Sequence, residues 1–158
     1  MSRVYVVTDS AATIETAVAE HLDITVLPLT VRIDHQDYQD GADLDHEEVL
    51  LRMAHDRIRP SIVGPTSEQF RRVYSRLTRR TDKIISLHSS ASLSLVCREA
   101  RRAASEFLGR CDIVVIDSET LSLGLSILVQ EAARLANASI PLSEIMRQMR
   151  GIIRRIYI

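Results

Sequence analysis

The 158-residue chain has no tryptophan and only two phenylalanines. It therefore offers no aromatic platform on which single-stranded nucleic acid could stack. Its two cysteines, Cys97 and Cys111, have no metal or redox spacing. Both lie in or beside apolar periodic segments and read as buried thiols. No apolar stretch is long enough to cross a bilayer, which argues against membrane insertion. The N-terminus leads directly into a strand-like run, so no signal peptide and a cytoplasmic location are expected. No glycine-rich phosphate loop follows the first strand, and no Gly-x-Ser-x-Gly elbow occurs. His21, His35, His46 and His55 are scattered and read as surface residues rather than a metal site. No cofactor is implied.

Charge is balanced overall but unevenly spread. The net charge is -1 and 46% of residues are hydrophobic, as in a soluble globular chain of one domain, residues 1–158. Asp34, Asp37, Asp40, Asp43, Asp45, Glu47 and Glu48 crowd one stretch without calcium-loop ligand order, and read as a solvated excursion. Arg71, Arg72, Arg76, Arg79, Arg80 and Lys83 make a basic segment. Their spacing scatters them over more than one helix side, so solvated helix surface is favoured over nucleic-acid contact.

A phrase is written nearly twice. Val6-Val7-Thr8-Asp9-Ser10 opens the chain and Val114-Val115-Ile116-Asp117-Ser118 recurs far downstream. Ile84-Ile85-Ser86-Leu87-His88-Ser89-Ser90 lies between them. Each is a β-branched or apolar run that stops at small oxygen-bearing residues before a helical pattern. Continuous rather than alternating apolar strands predict a mainly parallel sheet in a three-layer α/β/α domain. Parallel strands present their carboxyl ends on one edge, where such folds bind ligands. Asp and Ser in these positions also serve as ordinary helix N-caps.

Along the chain, strands are expected at Arg3–Val7, Ile84–Leu87 and Asp112–Ile116, with an extended run over Ile24–Ile33 interrupted by Pro28. Helices are expected from Ser10 or Thr13 to Glu20, and from an Asp45–Glu48 capping box to Arg57. Another starts at Pro65-Thr66, with Phe70, Val73, Tyr74 and Leu77 on one face. Further helices are expected at Leu93–Phe107, ended by Gly109, at Leu121–Leu135, and from Pro141 onward. The last carries a stripe of Ile145, Met149, Ile152, Ile153 and Ile156. That stripe either packs on its own sheet or forms a homodimer interface.

Several strings together resemble the DegV family of fatty-acid-binding proteins. They are Thr8-Asp9-Ser10, Val26-Leu27-Pro28-Leu29, Tyr38-Gln39-Asp40-Gly41, and Pro65-Thr66 with Phe70 and Tyr74. Ser90-Ala91-Ser92-Leu93-Ser94 with Ala100, and Val115-Ile116-Asp117-Ser118 with Ser122 and Gly124, complete the set. The resemblance spans nearly the whole chain and corresponds to the family's N-terminal domain, with no counterpart here of its second domain. It implies a non-catalytic protein that holds a fatty acid with its carboxylate near hydroxyl groups, and that in some members presents it to a fatty-acid kinase. The lipid-binding residues implied here are Asp9, Ser10, Ser90, Ser92, Ser94 and Ser118. The missing wall of the site would come from a homodimer or a separate protein.

Two segments depart from the family pattern. Ile62-Val63-Gly64 stands where Thr-Ser-Gln is usual, and Ser94-Leu95-Val96 where Ser-Gly-Thr is usual. Both changes remove polar character from one presumed cleft, and a desolvated carboxylate needs donors. A ligand-free structural or regulatory interaction module on the same scaffold is the alternative reading. A nucleophilic triad of Ser10, His88 and Asp117 is a third and weaker one.

Overall fold

A computed structural model describes residues 3–43 and 46–156. Four parallel strands form the main sheet: β1 (Tyr5–Asp9), β2 (Ile24–Leu27), β6 (Lys83–His88) and β7 (Asp112–Asp117). Their order is β2-β1-β6-β7. The first strand thus lies inside the sheet and every crossover starts beside it or its neighbour. Ile84 pairs with Tyr5 on one side and Ile113 on the other, so the three repeated phrases are in lateral register.

Strand alternation divides the core into two layers. Val4 just before the first strand, Val6 within it, and Ile85 and Leu87 of β6 share a core with α1 (Thr16–Leu22), α5 (Ser122–Asn137) and α6 (Leu142–Ile153). Tyr5, Val7 and Ile84 face α3 (Ser67–Leu77) and α4 (Val96–Ala104) instead. This is the three-layer α/β/α arrangement that the continuous strands predict. The α3 helix starts with a full capping box: Gln69 N–H donates to Thr66 Oγ1, and Thr66 N–H to Gln69 Oε1. Phe70, Tyr74 and Leu77 follow at helical spacing and are buried. Gly109 ends the α4 region in a left-handed conformation (φ +76°), where a side chain would be strained.

Three expectations need correction. Ser10 and Thr13 do not open α1. Residues Ser10–Ala12 form a 3₁₀ turn capped by Asp9, Thr13 is left-handed (φ 47°), and the helix begins at Thr16. The Ile24–Ile33 run is two strands in different sheets. After Pro28 the chain turns into β3 (Thr30–Ile33), which pairs antiparallel with β4 (Gln36–Gln39) and β5 (Ser61–Val63). The sequence carries little sign of this small sheet, because β4 lies in the acidic stretch and β5 has only three residues, all exposed. The helix expected from Leu93 begins at Val96, leaving Leu93–Leu95 in a turn, and gives way to a 3₁₀ turn at Ser105–Phe107. Of the two readings of the C-terminal stripe, the structure bears out packing within the chain: Ile145 and Met149 are fully buried, and partly buried Ile152, Ile153 and Ile156 pack against the same core. The helix α2 spans His46–His55; Asp45 of the expected capping box lies outside the described residues.

Candidate functional site at the strand ends

The carboxyl ends of β1, β6 and β7 converge. Asp9 Oδ2 accepts from Ser89 N–H (3.3 Å), and Asp117 Oδ1 accepts from Ala91 N–H (3.1 Å). The loop after β6 is thereby tied to both neighbouring strand ends. Ser118 N–H donates to His88 O, and Ser90 N–H to Thr120 O. The six residues singled out from the sequence occupy this one edge, but in unequal positions. Asp9 and Ser118 are buried and engaged internally; Ser118 Oγ donates to Thr120 O at 3.0 Å. Ser90 is nearly buried and its hydroxyl meets that of Ser92 at 2.8 Å. Ser92 is exposed, and half-buried Ser94 meets Ser89 Oγ at 3.1 Å. Half-buried Ser10 stands on the far side, where its Oγ donates to Asp40 Oδ2 (2.5 Å) and accepts from Leu29 N–H (2.9 Å).

Exposed leucines occur in this hydroxyl loop and at the start of α5. Leu93 (67% exposed), Leu95 (60%) and Leu123 (70%) belong to it or to the start of α5, with Leu121 and Ile127 nearby in sequence. Ile62 (68%) and Val63 adjoin through Gly64, whose missing Cβ would stand 2.5 Å from Val96 Cγ2. The two departures from the DegV pattern are therefore in contact. Leu95 and Leu121 also hold the N-cap positions of α4 and α5, and neither helix has a side-chain cap. Their first-turn N–H groups carry partial positive charge at this edge. No Arg or Lys occurs in residues 9–12, 89–96 or 117–123. A separate apolar cleft of about 370 Å³ is lined by Leu29, Val31, Val49, Leu50, Met53 and Ile62. Asp40 stands at it as well, so the cleft meets the Ser10–Asp40 pair and not the Ser90 loop.

Beneath the loop lies a buried hydrogen-bonded series that the sequence did not reveal. His88 Nδ1 meets Asp9 Oδ2 at 2.8 Å, His88 Nε2 meets Ser86 Oγ at 2.6 Å, and Ser86 Oγ meets Tyr74 Oη at 2.7 Å. All four side chains are fully buried. Alternation on β6 hinted at it, since Ser86 and His88 share the face of Ile84. The expected trio of Ser10, His88 and Asp117 is not assembled. Ser86, His88 and Asp9 do have the connectivity of a nucleophilic triad. Phe70 packs edge-on against His88, with ring centroids 5.0 Å apart, so this series is sealed from any substrate carbonyl. Burial pushes the Tyr74 phenol up, keeping it protonated as a donor. Among the described residues, no three His, Cys, Asp or Glu side chains are grouped to hold a metal, and no helix is long and apolar enough to cross a membrane.

A doubly covered parallel sheet with a hydroxyl-bearing loop at its carboxyl edge defines an α/β domain of the class that places ligand sites at that edge. The sequence matches the profile of the family described as "Uncharacterised protein, DegV family" across residues 3–158, and the chain belongs to that family. It is 38% identical over 147 residues to the DegV domain-containing protein YejH of Lactococcus lactis, covering 93% of this chain and 52% of that protein. A DegV domain-containing protein of Deinococcus radiodurans is 32% identical over 147 residues, with the same coverage. Among solved structures, a fatty-acid-binding DegV family protein from Thermus thermophilus superimposes with a TM-score of 0.90 at 29% identity. That match covers 96% of this chain and 54% of the other. DegV of Bacillus subtilis, described as a fatty acid binding protein, gives 0.87 at 25% identity over 98% and 55%. The chain thus spans about half the length of the relatives it matches.

Proposed function

We propose that this chain binds a fatty acid without transforming it, at the carboxyl edge of its parallel sheet. The observation that carries the reading is the pairing of a hydroxyl-rich loop, Ser89–Ser94, with a rim of exposed Leu93, Leu95, Leu121 and Leu123. A fatty acid has the same two-part chemistry. With no cation in these loops, its carboxylate would be held by the Ser92 and Ser94 hydroxyls and by the uncapped N-termini of α4 and α5. Each helix terminus contributes roughly 0.3–1 kcal/mol to an anion beside it. Ser90 shapes the loop, Ser10 lines the opposite wall, and Asp9 and Ser118 act from beneath. The solved relatives described as fatty-acid-binding support this reading at the level of the fold and family.

The acyl chain lies along the leucine rim. Left in water, each methylene forfeits about 0.8 kcal/mol, so a second wall is needed for tight binding. We assign that wall to a second copy or a separate protein meeting the rim, rather than the α6 stripe. A fatty-acid kinase would approach a head group presented at this same edge. Exposed Ile62, Val63 and Leu95 equally suit an interaction module that carries no lipid.

Delipidated protein titrated with cis-parinaric acid separates the two. Saturable fluorescence is expected, weakened at least threefold by Ser92→Ala with Ser94→Ala and abolished by Leu93→Asp with Leu123→Asp. No saturable signal from the parent, together with self-association that Leu93→Asp disrupts, would leave the interaction module in its place.

A further inference from the structure

Resting on that reading, the geometry points to the buried Asp9–His88 pair as the positioning device of the head-group site. Asp9 grips both of its walls. Its Oδ1 accepts from Ala11 N–H at 3.1 Å, fixing the turn that carries Ser10. Its Oδ2 accepts from Ser89 N–H at 3.3 Å, fixing the loop that carries Ser90, Ser92 and Ser94. A free carboxylate would rotate about its last side-chain bond and serve one wall at a time. His88 removes that freedom. A carboxylate only accepts, so the imidazole Nδ1 carries the proton it donates to Oδ2.

The rest of the series holds the ring. On its other side the ring meets Ser86 Oγ through Nε2, and Ser86 Oγ meets Tyr74 Oη. The series thus runs unbroken from the α3 helix to Asp9, and every member has a partner. Phe70 packs at a near-perpendicular angle against the ring and limits its movement. The series therefore sets the spacing between the Ser10 turn and the serine loop, while no member touches the ligand.

The test uses the full chain and two readouts, cis-parinaric acid affinity and backbone hydrogen exchange in residues 10–13 and 89–94. His88→Leu keeps volume but removes the donor. It is expected to weaken the probe at least tenfold and to raise exchange in both segments together. His88→Asn places an amide N–H near the Nδ1 position and is expected to stay within threefold of the parent. Ser86→Ala loosens the ring but leaves the His88–Asp9 contact in place, and is expected to weaken the probe and raise exchange in both segments by less than His88→Leu does. Should His88→Leu fail to fold, Asp9→Asn supplies the same comparison with half the acceptors and no change in volume. Exchange rising in only one segment, or Ser86→Ala losing as much affinity as His88→Leu, would overturn the positioning role. A parent that binds no probe would remove the lipid reading, while the exchange measurements would still decide the coupling of the two walls.

Discussion

Gly64→Ala is a one-methyl change with a large expected cost. The added Cβ would stand 2.5 Å from Val96 Cγ2, against a normal carbon contact of about 3.5–4.0 Å. Roughly 1 Å must be recovered. Val96 is 1% exposed and sits in the first turn of α4, where a β-branched side chain has one strongly preferred rotamer. Its methyl has no alternative well to enter, so the α4 start or the strand before α3 must move. Overpacking of this kind costs about 1–3 kcal/mol. Val96→Ala alone removes two buried methyl groups, worth about 1.6 kcal/mol at about 0.8 each, plus the term for the cavity. In the double variant the methyl at 64 enters the space vacated at 96, so the cost of Gly64→Ala should nearly vanish. The expected coupling is about 1–3 kcal/mol, within the range for residues in contact. Urea unfolding followed by far-UV circular dichroism measures it, since no tryptophan is available as a fluorophore. Each kcal/mol should appear as roughly 2–4 °C in melting temperature for a chain of this length. Additivity within about 0.5 kcal/mol would refute the argument. It would also show that the contact between the Ile62-Val63-Gly64 and Leu95-Val96 departures carries no energetic coupling.

Other expectations follow from the same contacts. Hydrogen bonds from Arg71 and Arg72 hold the Glu68 carboxyl down at about 2, and Arg147 with Gln148 does the same for Glu144. Because these values are depressed on folding, whatever stability the pairs contribute is present above the ordinary glutamate range and lost as pH falls toward 2. Carboxyl NMR titration should show both still ionised at pH 3.5, and midpoints near 4.5 would contradict the pairing. Burial pushes the Cys97 and Cys111 thiols up to about 11. Both should resist a disulfide reagent at pH 8 until urea unfolds the chain; rapid native labelling of either would place it at the surface. Ile152→Asp should lower stability by a charge pressed against the α5–α6 core, lowering the urea midpoint rather than only dissociating an oligomer.

The amino-acid order by itself determined the layers. Runs such as Ile84–Leu87 and Ile113–Ile116 are mainly apolar on both faces, and the periodic helices between them bury their stripes against those faces. It also placed Asp9, Ser90 and Asp117 on one edge, because parallel strands carry their ends to the same side. Local pattern could not say which of these oxygens faces solvent. That depends on partners distant in sequence: Asp9 is consumed by His88 and Ser89, some 80 residues away, whereas Ser92 is left exposed. The small β3–β4–β5 sheet was equally invisible, since three exposed residues at Ser61–Val63 become a strand only when Thr30–Arg32 offers its edge. The contact between Gly64 and Val96 belongs to the same class. Tertiary packing decided these features because hydrogen bonds and steric fits between remote segments leave no periodicity in the chain that forms them.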